Sequence, residues 1–196
     1  MENLLHYLDA FETISDESKK KLFKLAKPVS FKKGEFLGKL GEKHKFIYIL
    51  DTGIVRSTFI NNKGKEQTRN IFMGNRAVGA LDALILDKPA KFSYICSTDC
   101  TLFAIHFKKF KKLAKKNNAI GHLYAKILEL VFLEVESKVI ELSNLNSTER
   151  YLKLIKQTPE IENAVKQYHI ASFLNITPVQ LSRIRRSLIE KSSTLA

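Results

Sequence analysis

Twenty residues near the C-terminus, QYHIASFLNITPVQLSRIRR from Gln167, constrain the fold more than any other stretch. Apolar residues recur there at helical spacing on both sides of a central break. They are Ile170, Leu174, Ile176, Leu181 and Ile184. Ala171 is small enough for a second helix to cross closely, and Asn175 tolerates the left-handed backbone of a tight turn. Thr177 is a good N-cap and Pro178 suits a first helical turn, so the stretch predicts a helix-turn-helix.

The second helix of this motif is expected to present a basic, amide-bearing face. Gln180 and Arg183 are predicted to contact bases, because glutamine forks onto adenine and arginine onto guanine in the major groove. Val179 lies on the same side, near the end that enters the groove. Candidates for the DNA backbone or the groove edge are Thr177, Ser182, Arg185 and Arg186. The alternative is an ordinary pair of surface helices with a solvated basic face.

From Val29 to Phe107 the sequence consists of short β-rich runs separated by turn residues. The runs are FIYIL at 46–50, IVRSTFI at 54–60, FSYI at 92–95 and TLFAI at 101–105. This pattern predicts a compact antiparallel β-roll. Residues 1–26 are predicted to be helical, with Ser15 or Asp16 as N-cap, and everything after the β-roll is predicted to be helical. The expected fold class is therefore α+β.

The longest helical pattern runs from about Ala119 to Leu142 and is apolar on more than one face. The β-roll can cover only one face, so the same helix of a second subunit is expected to cover another through an isologous interface. The residues expected near this seam are Ile120, Ile127, Val131, Glu134 and Lys138. A polar break at 142–148 follows. The predicted division is a β-roll sensor domain at 1–118, a dimerisation helix at 119–143 and a DNA-binding domain at 144–196.

Charge and motif content narrow the function classes. Among 196 residues, Lys and Arg number 33 against 20 Asp and Glu, and this net charge of +13 favours an anionic partner, either nucleic acid or a lipid surface. The six lysines between Phe107 and Lys116 are interpreted as the solvated side of a short amphipathic helix. No apolar run is long enough to span a bilayer and the N-terminus is acidic, so a cytoplasmic protein without a membrane partner is expected.

Catalytic and metal chemistry are not expected. The sequence contains no nucleophile elbow, zinc-protease motif, P-loop or paired carboxylates in a suitable context, which argues against an enzyme. The five histidines form no spaced cluster, so no metal or haem site is predicted. Cys96 and Cys100 are interpreted as structural thiols.

The order of β-roll, long helix, hinge and helix-turn-helix resembles the Crp/Fnr superfamily of bacterial transcription factors. The resemblance rests on residues 32–56, residues 79–105 and the segments ERYLKLI and YHIASFLNITPVQLSRIRR. The C-terminal segments look especially like those of the short, sensor-poor members common in Bacteroidetes-type bacteria. It implies a cyclic-nucleotide-binding-like β-roll and a homodimer that binds a near-palindromic operator in double-stranded DNA, and it leaves contact with RNA polymerase open.

The resemblance also implies where an effector would sit. Family members that bind cyclic AMP carry a Gly-Glu pair for the ribose, followed about ten residues later by an arginine for the phosphate. Here Ala80 follows Gly79 and the arginine position falls at Ala90, beside Lys91, which lacks the bidentate fork. The candidate pocket residues are Gly79, Ala80, Leu81, Ala90, Lys91 and Phe92. Cyclic AMP is not expected to bind, no cofactor is predicted, and the effector is left open.

Two function hypotheses follow. The first is a homodimeric, sequence-specific DNA-binding transcription regulator with a degenerate nucleotide pocket. The second is a ligand-binding sensor or interaction module that acts on a protein partner and uses the helix-turn-helix only for packing. Arg183→Ala distinguishes them, because only the first hypothesis predicts that specific DNA binding is lost.

Overall fold

The structure is a computed structural model that describes residues 15–194, with side chains described for residues 15–190. In chain order its helices are α1 (Asp16–Phe23), α2 (Leu81–Leu86), α3 (Phe107–Lys116), α4 (Asn118–Asn144), α5 (Ser147–Gln157), α6 (Ile161–Ala164), α7 (Gln167–Phe173) and α8 (Pro178–Thr194). Its strands are β1 (Ala26–Phe31), β2 (Phe36–Gly38), β3 (Phe46–Thr52), β4 (Ile54–Ile60), β5 (Glu66–Met73), β6 (Arg76–Val78), β7 (Ser93–Cys96) and β8 (Cys100–His106).

The strands form two antiparallel sheets of four strands each. The first sheet has the order β1-β8-β3-β6 and the second has the order β2-β7-β4-β5. β3 and β8 pair in the middle of the first sheet, with Tyr48 opposite Ala104. β4 and β5 form a hairpin in the second sheet, with Ile54 opposite Met73. The predicted α+β fold class with an antiparallel β-roll is confirmed.

Two apolar clusters hold the β-roll together. The cluster between the sheets includes Leu50, Val55 and Leu102, each at most 1% exposed. The cluster beneath the helices joins Ile49 and Phe103 of the first sheet to side chains of α1, α3 and α4. Full burial of each such large side chain contributes about 1.5–3 kcal/mol to the stability of the fold.

The N-terminal helix is shorter than predicted. Ser15 is the N-cap of α1 and its hydroxyl accepts a hydrogen bond from the Ser18 amide at 3.4 Å. The chain leaves the helix after Phe23 and enters β1 at Ala26, so the prediction that helix extends to residue 26 is wrong. β1 is an edge strand, where Pro28 is tolerated although it lacks an amide hydrogen. The helix predicted for residues 1–14 lies outside the described residues.

The polar break after the long helix is narrower than predicted. α4 continues through Asn144, and the Ser143 hydroxyl donates to the carbonyl of Val139 at 3.0 Å inside the helix. α5 then begins with a capping box, in which the Asn146 side chain accepts from the Glu149 amide at 3.1 Å and the Glu149 carboxylate accepts from the Asn146 amide at 2.8 Å. The break therefore comprises Leu145 and Asn146.

The C-terminal helices pack directly on the second sheet. Ile54 of β4 belongs to the same buried cluster as Tyr151, Ile170 and Leu181 of the C-terminal helices. The backbone amide of Thr68 in β5 donates to the Ser172 hydroxyl of α7 at 2.8 Å. The sheet thus fixes the position of the helix-turn-helix. Between residues 15 and 194, no helix is long and apolar enough to cross a membrane.

Candidate nucleic-acid interface

The turn between α7 and α8 has the geometry that the sequence predicts. Asn175 adopts a left-handed conformation with φ of 57°. Ala171 is fully buried, and its carbonyl accepts a hydrogen bond from the Ile176 amide at 3.0 Å across the turn. A larger side chain than alanine at this position would separate the two helices. The predicted helix-turn-helix is confirmed.

A reciprocal cap fixes the start of α8. The Thr177 hydroxyl accepts from the Gln180 amide at 3.2 Å. In return, Oε1 of Gln180 accepts from the Thr177 amide at 2.9 Å and from the Thr177 hydroxyl at 3.1 Å. This arrangement is a capping box, which the spacing of Thr177 and Gln180 could have revealed from the sequence. Gln180 can fork onto adenine only if its carbonyl oxygen leaves this cap.

The exposed side of α8 is basic and polar. Val179 is 61% exposed, whereas Leu181 on the opposite side is 1% exposed. Ser182, Arg183 and Arg186 are also exposed. Among the described residues, neither of these arginines forms an ion pair with a carboxylate. Two uncommitted guanidinium groups three residues apart on one helix face can donate to base edges or to phosphates.

Arg185 lies in a different environment from the other candidates. It is half-buried, and its Nε donates to the carboxylate of Glu162 in α6 at 2.8 Å. The same carboxylate accepts from the Tyr151 hydroxyl at 2.7 Å. Burial, together with this hydrogen bond, raises the pKa of Tyr151 to about 12. Arg185 therefore connects α8 to α5 and α6, and its contact with the DNA backbone stays a prediction.

His169 of α7 is uncharged at neutral pH. Burial disfavours its protonated form, and Arg56 and Lys166 repel a further positive charge, so that its pKa falls to about 4. Arg56 is itself 5% exposed and donates to Ser97, Glu66 and Thr68. A neutral histidine beside this arginine avoids a second buried charge where the sheet meets the helix-turn-helix.

The residues of the candidate effector pocket lie in different environments. Ala80 and Ala90 are buried in the cluster between the sheets. The Tyr94 hydroxyl donates to the carbonyl of Gly79 at 2.8 Å, and burial raises the pKa of Tyr94 to about 12. Leu81 begins α2 and is half-buried, while Lys91 is exposed.

Arg69 lies at this pocket, although counting along the sequence does not indicate it. The guanidinium carbon of Arg69, in β5, is 4.2 Å from the centroid of the half-buried Phe92 ring. Arg69 precedes Phe92 by 23 residues in the sequence, and the pairing of β4 with both β5 and β7 brings the two together. Its guanidinium packs on an aromatic face, a favourable cation–π contact.

The residues of the predicted seam on α4 lie in different environments. Ile120 is fully buried in its own chain and Ile127 packs on the same cluster, so neither faces outward. Glu134 accepts from Arg76 at 2.8 Å. Lys138 lies 3.6 Å from the ring centroid of Phe173, where burial lowers its pKa. These four residues contact the β-roll and the C-terminal helices of the same chain, and Val131 beside them is 38% exposed.

The exposed apolar side chains of α4 lie on another face of the helix, next to the predicted seam. Phe132 is 65% exposed, Val135 51%, Val139 59% and Leu142 46%. Together with the half-buried Leu128 these residues recur at alternating intervals of four and three, the spacing of a coiled-coil seam. The sequence alone could not choose between the faces, because it does not show which one the β-roll covers.

Sulfur and metal chemistry are not found at this interface. Cys96 and Cys100 are free thiols, at most 2% exposed, in the cluster between the sheets. A hydrogen bond between them raises the pKa of Cys96 and lowers that of Cys100 to about 7. Within the part of the chain that the structure describes, no group of His, Cys, Asp or Glu side chains could hold a metal ion.

Comparison with known proteins identifies the fold. The model of the cyclic nucleotide-binding domain family matches residues 28–117, which span β1 to the end of α3. Comparison with curated proteins found no match. Similar solved structures cover nearly the whole chain. A putative transcriptional regulator of the Crp/Fnr family from Eubacterium rectale matches with a TM-score of 0.73 and 14% identity, over 95% of this chain and 88% of that one.

The chain has the Crp/Fnr fold. FixK2 from Bradyrhizobium japonicum matches with a TM-score of 0.71 and 16% identity, over 85% of this chain and 86% of that one. The catabolite activator protein of Thermus thermophilus matches with a TM-score of 0.58 and 18% identity, over 95% of this chain and 88% of that one. The resemblance to the Crp/Fnr superfamily, inferred from the sequence, is thus confirmed at the level of the fold.

Proposed function

We propose that this chain is a homodimeric, cytoplasmic regulator that binds a near-palindromic site in double-stranded DNA through α8, and that it is not an enzyme. The observation that carries this proposal is the helix-turn-helix itself. Its turn and cap fix α8, and Arg183 and Arg186 extend from the open side without a carboxylate partner among the described residues. The Crp/Fnr fold supports the same conclusion.

Within this proposal, base recognition rests mainly on Arg183. Gln180 is engaged in the cap and Arg185 is engaged with Glu162, whereas Arg183 forms no ion pair with any carboxylate of the described residues. Ser182 and Arg186 flank it and are assigned to phosphates, and Val179 is assigned to an apolar contact at the groove.

The homodimer is assigned to the exposed apolar face of α4. An isologous pairing of two such helices would bury Phe132, Val135 and Val139, whose exposure is otherwise unfavourable in water. Two recognition helices would then meet successive major grooves, about 34 Å apart. A contact with RNA polymerase is compatible with this arrangement, but no described residue points specifically to it.

The effector pocket is proposed not to take cyclic AMP. Alanine occupies both positions that would supply the ribose acceptor and the phosphate fork, and Tyr94 is hydrogen-bonded to Gly79. Titration of the protein with cyclic AMP in a calorimeter is expected to give no saturable heat. Saturable binding at micromolar concentration would contradict the degenerate pocket while leaving the DNA-binding proposal intact.

Selection of duplexes from a randomised DNA pool at about 150 mM salt, where non-specific phosphate binding is weakened, tests the central proposal. The native protein is expected to enrich a two-fold symmetric site, and Arg183→Ala is expected to abolish the enrichment. Lys156→Ala is the matched control, because it removes one exposed positive charge from α5, in the same part of the chain. Enrichment that survives Arg183→Ala, or absence of any enriched site, would favour the alternative of a sensor module that acts on a protein partner.

A further inference from the structure

A small cavity lies where the end of α4 meets α5 and the end of α7. Its volume is about 50 Å³. Lys138 and Glu141 line it from α4, Arg150 and Lys153 line it from α5, and Leu174 lines it just after α7. The two α5 residues are three positions apart, so they lie on the same face of that helix. The cavity therefore lies between the long helix and the helix-turn-helix.

Positive charge is in excess around this cavity. The described residues that line it include three cations, Lys138, Arg150 and Lys153, and one carboxylate, Glu141. The carboxylate is already engaged, because its Oε1 accepts from the Lys153 ammonium and from the Ser137 hydroxyl. The lining side chains thus carry an excess of two positive charges.

Lys138 is a half-buried cation at this cavity, and within the described residues it forms no ion pair with a carboxylate. Its Nζ lies 3.6 Å from the centroid of the Phe173 ring. Burial lowers the pKa of Lys138, and although Glu141 attracts its charge, Arg150 and Lys153 repel it. An anion beside this ammonium group would oppose both the burial and the repulsion.

Arg150 connects the three helices and has one donor left over. Its Nη1 donates to the carbonyl of Leu145, between α4 and α5, at 2.6 Å. Its Nη2 donates to the carbonyl of Leu174, at the end of α7, at 3.2 Å. Its Nε is buried and has no hydrogen-bond partner in the part of the chain that the structure describes. A buried donor without an acceptor is unfavourable, and a guanidinium group donates strongly to the oxygens of an oxyanion.

We propose that this cavity binds one small inorganic oxyanion of the phosphate class, held by Lys138, Arg150 and Lys153. A divalent oxyanion balances the excess of two charges, whereas chloride balances only one. The size of the cavity sets the same limit. One water needs about 10–15 Å³, so the cavity has room for an inorganic anion. Sites for organic ligands measure about 300–1,000 Å³, so a nucleotide does not fit.

A bound oxyanion joins helices that are otherwise connected mainly by single side chains. Lys138 approaches it from α4, and Arg150 and Lys153 approach it from α5. Arg150 also holds the carbonyl of Leu174, at the end of the first helix of the helix-turn-helix. The oxyanion therefore fixes the helix-turn-helix against α4. This site shares no residue with the candidate effector pocket or with α8, and it does not depend on the proposed function.

Calorimetric titration of the full chain with inorganic phosphate, at constant ionic strength and without other oxyanions, tests the inference. Native protein is expected to bind phosphate saturably at one site per chain. Lys138→Gln is expected to weaken binding at least about tenfold, because it removes one of the three charges. Arg150→Lys keeps the charge but lacks the Nε donor, and it should weaken binding as well. Circular dichroism verifies that both variants are folded. Adenosine monophosphate should not displace phosphate.

Lys156→Gln is the matched control, because Lys156 is exposed on α5 and does not line the cavity. This variant should bind phosphate as the native protein does. Hydrogen exchange locates the site, since phosphate should slow exchange at the Leu145 amide, which donates to the carbonyl of Glu141, and leave β3 and β8 unchanged. The inference is overturned if phosphate does not bind, if Lys138→Gln binds it as tightly as the native protein, if Lys156→Gln weakens binding equally, or if adenosine monophosphate displaces it.

Discussion

At the scale of single residues, the start of α8 shows how one side chain can serve structure where the sequence indicates recognition. Gln180 carries the amide that suits adenine, yet its oxygen closes a capping box with Thr177. The base contact of Gln180 stays a prediction, and the local hydrogen bond competes with it. An amide three positions after the N-cap of a recognition helix can therefore close a capping box instead of contacting a base.

Substitutions at this cap distinguish the contribution of Thr177 and Gln180 to the stability of the fold from a contribution to DNA recognition. Thr177→Ala is expected to lower the free energy of unfolding by about 1 kcal/mol, because the Gln180 amide loses its acceptor. Gln180→Glu should keep the box and the stability, since glutamate accepts the same two hydrogen bonds. Urea denaturation followed by circular dichroism measures both. A loss of stability in Gln180→Glu as large as that in Thr177→Ala would show that the capping box does not act as described.

The neutral histidine of α7 predicts a pH dependence of stability. The folded pKa of His169, about 4, lies below its ordinary value, so the unfolded chain binds the proton more readily. Its contribution is complete above about pH 6.5 and is lost as the pH falls toward 4. The loss is up to about 2 kcal/mol after allowance for partial exposure to solvent.

Unfolding free energies measured in urea between pH 7 and 4 test this expectation. His169→Gln should flatten the acid side of the stability profile, whereas His122→Gln, at an exposed position on α4, should leave it unchanged. Identical pH profiles for native protein and His169→Gln would show that the histidine does not titrate as described.

At the scale of secondary-structure elements, the helices and strands with a strong apolar pattern were the ones that the sequence predicted. The apolar runs of β3, β4, β7 and β8 and the long periodicity of α4 were recognised because each is continuous. β5 was missed, because its sequence EQTRNIFM is polar over the half that lies toward the turn with β4. β1 was not among the predicted strand runs, because its lysine and proline conceal a strand whose pairing with β8 is set by tertiary contacts.

Periodicity alone could not show which face of α4 packs on the β-roll and which is exposed. Several faces of α4 are apolar, and only packing shows that Ile120 and Ile127 turn inward while Phe132 turns outward. The predicted seam therefore includes Ile120 and Ile127, which pack on the β-roll, together with Val131, which is exposed. The helix-turn-helix, in contrast, was predictable in detail, since Ala171, Asn175 and Pro178 are each required by local geometry.

The exposed face of α4 predicts how the proposed dimer can be broken. Phe132→Glu is expected to give a monomer at micromolar concentration, because an isologous seam would place two carboxylates near the symmetry axis without partners. Light scattering coupled to gel filtration measures the mass. Ser137→Glu introduces the same charge at an exposed position away from the apolar face and should leave the dimer intact. A native protein that elutes as a monomer would contradict the proposed seam.

At the scale of the whole molecule, the contact between the second sheet and α7 couples the two parts of the chain. Ser172→Ala removes the acceptor of the Thr68 amide, whose residue is 5% exposed, so the loss is expected to cost about 1–3 kcal/mol. Hydrogen exchange should accelerate at Thr68 before the centre of the sheet is affected. Ser187→Ala, at an exposed position on α8, is the matched control. Unchanged exchange at Thr68 in Ser172→Ala would show that the hydrogen bond does not hold the two parts together.

The shared cluster around Ile54 limits how far the C-terminal helices can be treated as a module. Ile71 and Met73 of β5 pack on the same cluster, so a fragment of residues 144–196 would lose part of its own interior. Such a fragment is expected to aggregate or to remain partly unfolded, and a chimera that joins these helices to a foreign β-roll would need matching apolar residues in the β4–β5 hairpin. DNA specificity is therefore expected to pass from one relative to another when only the exposed residues of α8 are exchanged. Exchange of all the C-terminal helices together is expected to fail.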